Sequence, residues 1–128
     1  MTLAGDLNRF FEQYNEAFAS IDGQRIAALY HVPTLTMRAD GSIHCLQSRD
    51  ELARFFQGVA ETYRRDGYRK GRFRNLEAVP IGGRSALATM DWELLRGDGS
   101  VIRAWRQSYN VVRVGSAWQI LVSTFHLG

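Results

Sequence analysis

The second half of the chain constrains the fold most, because stretches of strand-forming residues alternate there with short glycine-containing turns. Trp, Tyr, Val, Ile and Thr are frequent in the last two stretches, as is typical of β-strands. Turns this short join antiparallel neighbours. We therefore predict an antiparallel meander of four strands. The strands span residues 72–81, 85–96, 100–114 and 117–126, and the turns lie at Gly82-Gly83, Asp98-Gly99 and Gly115-Ser116.

The first residues of the chain predict two helices. Apolar side chains recur at helical spacing over residues 6–20, which gives one aromatic face, and Asp6 is a plausible N-cap. The members of this face are Leu7, Phe10, Phe11, Tyr14, Phe18 and Ile21. Asp22 can begin a short second helix that runs through Tyr30 and is ended by Pro33.

A hairpin and a third helix follow. Residues 35–38 and 42–46 are strand-like and flank Asp40-Gly41, which favours a two-residue type I′ turn. Ser48 and Glu51 then have the spacing of a capping box and begin a helix with an apolar face. Helices that precede a long meander indicate an α+β protein, with the helices packed on one face of a curved sheet.

The composition limits the classes of function. With 128 residues and 45% apolar residues, the chain is predicted to form one domain over residues 1–128. A lone Cys45 excludes an internal disulfide, and the three histidines lack ligand spacing, so we expect no metal and no cofactor. There is no membrane span and no secretory signal, so the expected location is cytoplasmic.

Basic residues are concentrated in residues 64–74, which carry six cations and one acid in a chain whose net charge is +3. Such a segment can attract an acidic partner, or it can be a solvated helix end and loop. Nucleic-acid binding would require this segment to be joined to exposed aromatic residues. Tyr63, Tyr68 and Phe73 are nearby, so this alternative stays open, but the solvated segment is favoured.

Turn geometry predicts which strand residues share a face. A two-residue turn at Asp98-Gly99 makes paired residue numbers sum to 197, and one at Gly115-Ser116 makes them sum to 231. Side chains then sort into a polar and an apolar set, and the apolar set must be covered by the helices or by another subunit. The polar set contains Thr89, Asp91, Glu93, Arg106, Ser108, Asn110, Leu121, Ser123 and Phe125. The apolar set contains Met90, Trp92, Leu94, Trp105, Tyr109, Val111, Trp118, Ile120 and Val122.

Three segments resemble the nuclear-transport-factor-like superfamily, of the SnoaL-like and ketosteroid-isomerase-like kind. They are the paired helices of residues 14–30, the helix start at residues 48–51, and the ending of residues 116–120. The resemblance covers nearly the whole chain and implies a cone-shaped, cystatin-like α+β fold that encloses a pocket. The superfamily includes ketosteroid isomerase, scytalone dehydratase, limonene epoxide hydrolase and small polyketide cyclases.

The resemblance also bears on chemistry. Against ketosteroid isomerase, a standard case of tuned acidity, Tyr14 falls on the oxyanion-binding tyrosine, Arg38 on the aspartate base and Asn110 on the second acid. An arginine cannot abstract a proton at neutral pH, so steroid-type isomerisation is disfavoured. The same comparison directs the polar set towards the pocket. It makes the surface of Trp92, Trp105 and Trp118 an outer face suited to a homodimer.

These considerations predict a site. Asp91 is the expected catalytic base, oriented by Arg106, with Tyr14 as a donor. The expected ligand-binding residues are Asn110, Arg38, Ser108, Ser123, Leu121, Phe125 and Phe55. Two simpler interpretations remain open: Asp91 and Arg106 can be an ordinary cross-strand ion pair, and Tyr14 can be a core aromatic.

The sequence thus leaves two main functional hypotheses. The first is an enzyme that acts on a small, apolar organic molecule by acid–base chemistry, as an isomerase, hydrolase, cyclase or dehydratase. The second is a non-catalytic binding or assembly module whose pocket holds a ligand, including an anion bound by Arg106 and Arg38.

Overall fold

The computed structural model of the protein describes residues 2–128 and contains three helices and six strands. The helices are α1 (Leu3–Ala19), α2 (Gly23–Ala27) and α3 (Arg49–Arg65). The strands are β1 (Tyr30–Met37), β2 (Ile43–Leu46), β3 (Lys70–Ile81), β4 (Ser85–Leu95), β5 (Val101–Val114) and β6 (Ala117–Phe125). Within residues 2–128, no helix combines the length and the apolar character needed to cross a membrane.

All six strands form one curved sheet in the order β2-β1-β6-β5-β4-β3. Neighbouring strands are antiparallel except β1 and β6, which are parallel. The apolar face of α1 packs on the sheet, where Phe11 contacts Tyr109 of β5 and Phe73 of β3. The predicted α+β class with a curved sheet and helices on one face is confirmed.

The first two helices differ from the prediction at their ends. The N-cap of α1 is Thr2, whose Oγ1 accepts a hydrogen bond from the Gly5 N–H, and not Asp6. Asp22 does cap α2, but that helix ends at Ala27. Tyr30 already belongs to β1, and Pro33 lies inside this strand rather than ending a helix. The spacing of Ile26 and Tyr30 fits either element, and pairing with β6 decides for the strand.

The capping box at α3 is confirmed with one difference. Ser48 Oγ accepts from the Glu51 N–H at 3.1 Å, as the motif predicts. The Glu51 carboxylate, however, accepts from the Gln47 N–H at 2.9 Å, one residue before the position that the motif predicts. The result is the same, because both side chains bond backbone N–H groups at the helix start.

Two predicted turns are longer than expected, although one register survives. The loops at Asp40-Gly41 and Asp98-Gly99 each contain three residues, and their glycines have φ of 84° and 88°. Asp91 still pairs with Arg106 and Trp92 with Trp105, as the sum of 197 requires. A bulge between Leu94 and Leu95 shifts the register by one residue and so cancels the effect of the longer loop.

The register between β5 and β6 changes part-way along the strands. Near the turn, Val111 pairs with Ile120 as predicted. A bulge at Leu121 then shifts every later pair by one residue, so Tyr109 faces Ser123 and Gln107 faces Phe125. The predicted pairs of Asn110, Ser108 and Arg106 with β6 residues were therefore wrong, because an inserted residue moves the following side chains to the opposite face.

The close contact of α2 with α3 requires glycine at residue 23. A Cβ atom there would lie 2.2 Å from the Ala53 carbonyl oxygen, which is backbone and cannot rotate away.

We expect Gly23→Ala to lower the free energy of unfolding by about 1–3 kcal/mol, since the helices must separate. Gly58→Ala is the matched control, because nothing lies within 4 Å of its Cβ position in α3. It should raise stability by about 0.5–1 kcal/mol. Thermal or urea unfolding measures both, and equal effects would contradict the packing.

Candidate functional site

The apolar face of the sheet is the inner one, covered by the helices. Trp92 is 4% exposed and Tyr109 is 1% exposed, and both rings contact Tyr14 of α1. Trp105 stacks on Phe125 on the same side. The prediction that the tryptophan surface is an outer, dimer-forming face was therefore wrong. The apolar set is covered by the helices and not by another subunit. Burying its aromatic area against α1 stabilises the fold within one chain.

Asp91 and Arg106 pair as predicted but lie on the opposite face of the sheet. Arg106 Nη1 lies 3.0 Å from Asp91 Oδ1, and Nη2 lies 3.1 Å from Glu77 Oε1. The Asp91 side chain is 37% exposed and alternates with buried Met90 and Trp92. It follows that the pair is an exposed cross-strand ion pair and not part of the hollow. The expectation of an acid and a guanidinium inside the pocket was wrong.

The surroundings of Asp91 also make it a weak base. A hydrogen bond from Asn75 Nδ2 to Asp91 Oδ2 (2.7 Å), together with the Arg106 contact, lowers the pKa of Asp91. Both interactions favour the ionised carboxylate, so the group holds a proton less readily than a free aspartate. Its geometry resembles a structural ion pair more than a general base.

Three further predicted ligand residues lie away from the helices or at the bulge. Ser108 bonds Thr89 Oγ1 (2.8 Å) and His126 Nε2 (2.7 Å) on the outer face. Asn110 donates to Ser85 Oγ at 2.8 Å on that face. Leu121 is the extra residue of the bulge and lines no part of the cavity described next.

An inner cavity lies between α1 and the sheet and opens on one side. Its volume is about 30 Å³, which suffices for one or two water molecules or a single small functional group. Aromatic side chains form most of its wall. The lining residues are Tyr14, Asn15, Phe18, Arg38, Tyr63, Tyr68, Trp92, Leu94, Trp105, Gln107, Tyr109 and Phe125. Of the predicted site residues, the structure brings Tyr14, Arg38 and Phe125 together here.

Burial keeps four tyrosines at or behind the cavity wall protonated. Burial raises the pKa of Tyr14, Tyr30 and Tyr109 well above the usual value, and raises that of Tyr68 to about 12. The hydroxyls of Tyr14 and Tyr30 hydrogen-bond each other at 2.6 Å behind the cavity wall. At neutral pH these side chains are therefore neutral hydrogen-bond donors and cannot act as bases.

One donor of a residue that lines the cavity has no acceptor within residues 2–128. Trp92 Nε1 is the buried side-chain nitrogen for which residues 2–128 supply no hydrogen-bond partner. The Tyr109 hydroxyl is close enough to interact with it, but the two groups are not aligned for a hydrogen bond. Gln107 is 3% exposed and uses its Oε1 to accept from Trp105 Nε1 at 2.9 Å, which directs its amide N–H groups elsewhere. A buried unpaired donor is costly, so Trp92 Nε1 favours an acceptor in the cavity.

Arg38 lies where the inner cavity meets a wider outer groove. Its guanidinium carbon is 4.9 Å from the Phe125 ring centroid and 5.8 Å from that of Phe55. The outer groove has a volume of about 550 Å³ and shares Arg38, Tyr63 and Phe125 with the cavity. Its remaining lining comes from Ala39, Asp40, Phe55, Gly58, Val59, Thr62 and Arg103. Phe55, a predicted ligand residue, thus belongs to the groove.

Ser123 contributes indirectly. It is fully buried on the inner side of β6, where its hydroxyl bonds Thr36 Oγ1 at 2.7 Å. Thr36 Oγ1 in turn accepts from Arg38 Nη1 at 3.3 Å. Ser123 therefore helps to position Arg38 and does not line the cavity.

Sequence reasoning missed most of the donors: Tyr63, Tyr68, Trp92, Gln107 and Tyr109. The signal was present, since the set that contains Trp92 and Tyr109 is the more apolar of the two faces. A small domain covers its most apolar sheet face with its own helices before any other partner. The polar character expected of a pocket directed attention to the wrong face.

In the part of the chain from Thr2 to Gly128, no three His, Cys, Asp or Glu side chains are placed to hold a metal ion. The side chains that line the inner cavity include no carboxylate, imidazole or thiol.

Comparison with known proteins identifies the family. The model of a family described as NTF2-like protein (DUF6841) matches residues 5–127. The chain belongs to this NTF2-like family. Its predicted kinship with the nuclear-transport-factor-like proteins is thereby confirmed. No curated protein matches this NTF2-like chain by sequence.

Solved structures share the NTF2-like fold at low sequence identity. The yeast UBP3-associated protein BRE5 has a TM-score of 0.79 at 16% identity, over 98% of this chain and 96% of that one. An NTF2-like protein with a cystatin-like fold from Novosphingobium aromaticivorans has a TM-score of 0.78 at 14% identity, over 96% and 80%. The protein Aln2 from a Streptomyces species reaches 0.78 at 12%, over 97% and 89%. At these identities the likeness concerns the fold alone.

Proposed function

We propose that this NTF2-like protein is a small-molecule binding protein of the SnoaL-like type, and that it binds without transforming its ligand. The acceptor group of the ligand enters the inner cavity, and its apolar body lies in the outer groove. The observation that carries the proposal is the indole N–H of Trp92. Trp92 is 4% exposed and lines the cavity, and its buried N–H has no aligned partner in residues 2–128.

The cavity selects its ligand by hydrogen-bond polarity. Trp92 and Gln107 present N–H groups, and the buried tyrosine hydroxyls stay protonated. A lining rich in donors is matched by a carbonyl or carboxylate oxygen, which has lone pairs and no proton of its own. A hydrocarbon of the same shape would leave these donors unpaired, so it should bind more weakly.

Binding is favoured over catalysis because the cavity lacks a base. Acid–base chemistry requires a group that exchanges a proton near the working pH within hydrogen-bond reach of the substrate. Tyr14 and Tyr109 are held protonated by burial, which raises the pKa of each, and an arginine keeps its proton. The enzyme hypothesis depended on Asp91, which lies on the other face of the sheet. The alternative hypothesis of a non-catalytic module is therefore the one we propose.

A matched pair of compounds tests the proposal. Cinnamamide carries a carbonyl acceptor, whereas trans-β-methylstyrene has a similar shape and none. We expect cinnamamide to bind about threefold to tenfold more tightly, the value of one or two neutral hydrogen bonds. Quenching of tryptophan fluorescence reports binding, because Trp92 and Trp105 line the cavity. Trp118→Phe removes the tryptophan outside it and lowers the background signal.

Two variants locate the effect. Trp92→Phe removes the donor and keeps an aromatic ring, so it should abolish most of the preference for the amide over the hydrocarbon. Asp91→Asn changes only the outer face and should leave both affinities unchanged. Cinnamamide should be recovered chemically intact. Two results would contradict the proposal. One is equal affinity of the wild type for the two compounds, and the other is an effect of Asp91→Asn as large as that of Trp92→Phe.

A further inference from the structure

The surroundings of Arg38 assign a charge to the ligand. We propose that the physiological ligand is a planar, conjugated or aromatic monocarboxylate, whose carboxylate is bound by Arg38 at the junction of the inner cavity and the outer groove. This inference rests on the proposed function and names the ligand class of the same site.

Arg38 is a half-buried cation without a counterion. Its Nη1 donates to Thr36 Oγ1 (3.3 Å) and its Nη2 to the Tyr63 hydroxyl (3.4 Å), and both of these contacts are long and neutral. No salt bridge to Arg38 forms within residues 2–128. Withdrawing a guanidinium from water without an anion is costly, so an anionic ligand gains the full benefit of pairing with it.

The one acid in the outer groove is already engaged. Asp40 accepts hydrogen bonds from the Ser42 N–H (2.9 Å) and the Ser42 hydroxyl (2.6 Å) in the β1–β2 loop. These bonds lower the pKa of Asp40, and its carboxylate forms no salt bridge with Arg38 within residues 2–128. Arg103, whose guanidinium lies 6.0 Å from the Tyr63 ring centroid, adds a second positive charge to the groove. The mouth of the site is therefore net positive.

Aromatic rings orient the guanidinium and prepare a place for the ligand body. Arg38 contacts the rings of Phe55, Phe56 and Phe125 at 5.8, 5.9 and 4.9 Å. These contacts restrict the orientation of the planar Arg38 guanidinium, whose paired N–H groups match the two oxygens of a carboxylate. Phe55 also lines the outer groove beside Val59, where a flat ring attached to the carboxylate can lie. The second carboxylate oxygen can then reach the donors of the inner cavity.

Cinnamate and cinnamamide supply the test, because they share the ring and one carbonyl oxygen. The acid has a second, charged acceptor oxygen where the amide has a neutral NH2 group. We expect the wild type to bind cinnamate about tenfold or more tightly than cinnamamide, as a charge-assisted pair exceeds a neutral one. Arg38→Met removes the charge and keeps an apolar stem, so it should abolish the preference while cinnamamide affinity stays within about threefold. Arg38→Lys should retain part of the preference, because a point charge lacks the fork. Arg106→Met removes the same charge from the outer face of the sheet, so it is the control and should retain nearly all of the preference.

The outcomes separate this inference from the proposed function. Equal wild-type affinity for the acid and the amide overturns the assignment of a carboxylate. So does a preference for the acid that survives in Arg38→Met or disappears in Arg106→Met. Cinnamamide can still outbind trans-β-methylstyrene in these cases, and the proposed function then stands. Absence of binding by all three compounds at millimolar concentration contradicts both. The wild-type ratio needs no variant, so the inference remains open to refutation even if Arg38→Met does not fold.

Discussion

Cooperative unfolding is expected when the pH rises above about 10, the usual pKa of tyrosine. Burial raises the pKa of Tyr14, Tyr30, Tyr68 and Tyr109, so the folded protein keeps four protons that the unfolded chain releases. Below pH 10 both states are protonated, and the contribution to stability is complete. Above pH 10 the unfolded state binds fewer protons, and the free energy of unfolding falls by about 1.4 kcal/mol per pH unit for each tyrosine.

Four such groups together remove about 5 kcal/mol per pH unit, which is comparable to the whole stability of a small domain. Circular dichroism and the near-ultraviolet absorbance of tyrosinate, followed against pH, should therefore show one shared transition. Tyr68→Phe keeps the ring and deletes one ionisation, so its midpoint should lie at higher pH. If these four tyrosines ionise gradually near pH 10 while the circular dichroism stays native, the buried cluster does not exist as described.

The second large effect concerns Phe11, which attaches α1 to the sheet. Its ring is fully buried, with centroid distances of 4.7 Å to Tyr109, 5.9 Å to Tyr14 and 6.4 Å to Phe73. We expect Phe11→Ala to lower the free energy of unfolding by about 3–5 kcal/mol, because it removes buried aromatic area and leaves a void in the core. Denaturant titration measures the loss.

Leu87→Ala is the matched control for Phe11→Ala. Leu87 is 39% exposed on the outer face of β4, where it pairs with Asn110. Its truncation leaves no enclosed void and should cost less than about 1 kcal/mol. A loss at Leu87 equal to that at Phe11 would show that the helices cover the other face of the sheet.

Local patterns in the sequence predict most of this fold. Ser48 with Glu51 marks the start of α3, and dipeptides that contain glycine mark the turns of the meander. Both signals are local, because capping and positive φ are properties of a few neighbouring residues. The end of α2 is not local in this sense. Residue 30 becomes part of a strand because Tyr30 pairs with Ile120, which is distant from it in the sequence. No spacing rule within residues 22–33 contains that information.

The candidate site was predictable only in part, for a similar reason. Turn arithmetic correctly paired Asp91 with Arg106, yet pairing does not say which face of the sheet the helices cover. The bulge at Leu121 then exchanged the faces of Ser123 and Phe125 relative to the prediction. Apolar and polar residues still alternate on each side of a single inserted residue. The pattern therefore does not mark where the bulge lies. Tyr14 and Arg38 were reached through the resemblance to the superfamily.

The proposed ligand contacts the Trp92 N–H inside the cavity. The chain has three tryptophans, so a nitrogen–proton correlation spectrum shows three indole signals, which single Trp→Phe variants assign. Titration with cinnamate should move the Trp92 signal most, move that of Trp105, and leave that of Trp118 in place, since Trp118 lies outside the cavity. Saturable binding that leaves the Trp92 signal unmoved, or that moves only the Trp118 signal, would contradict the account.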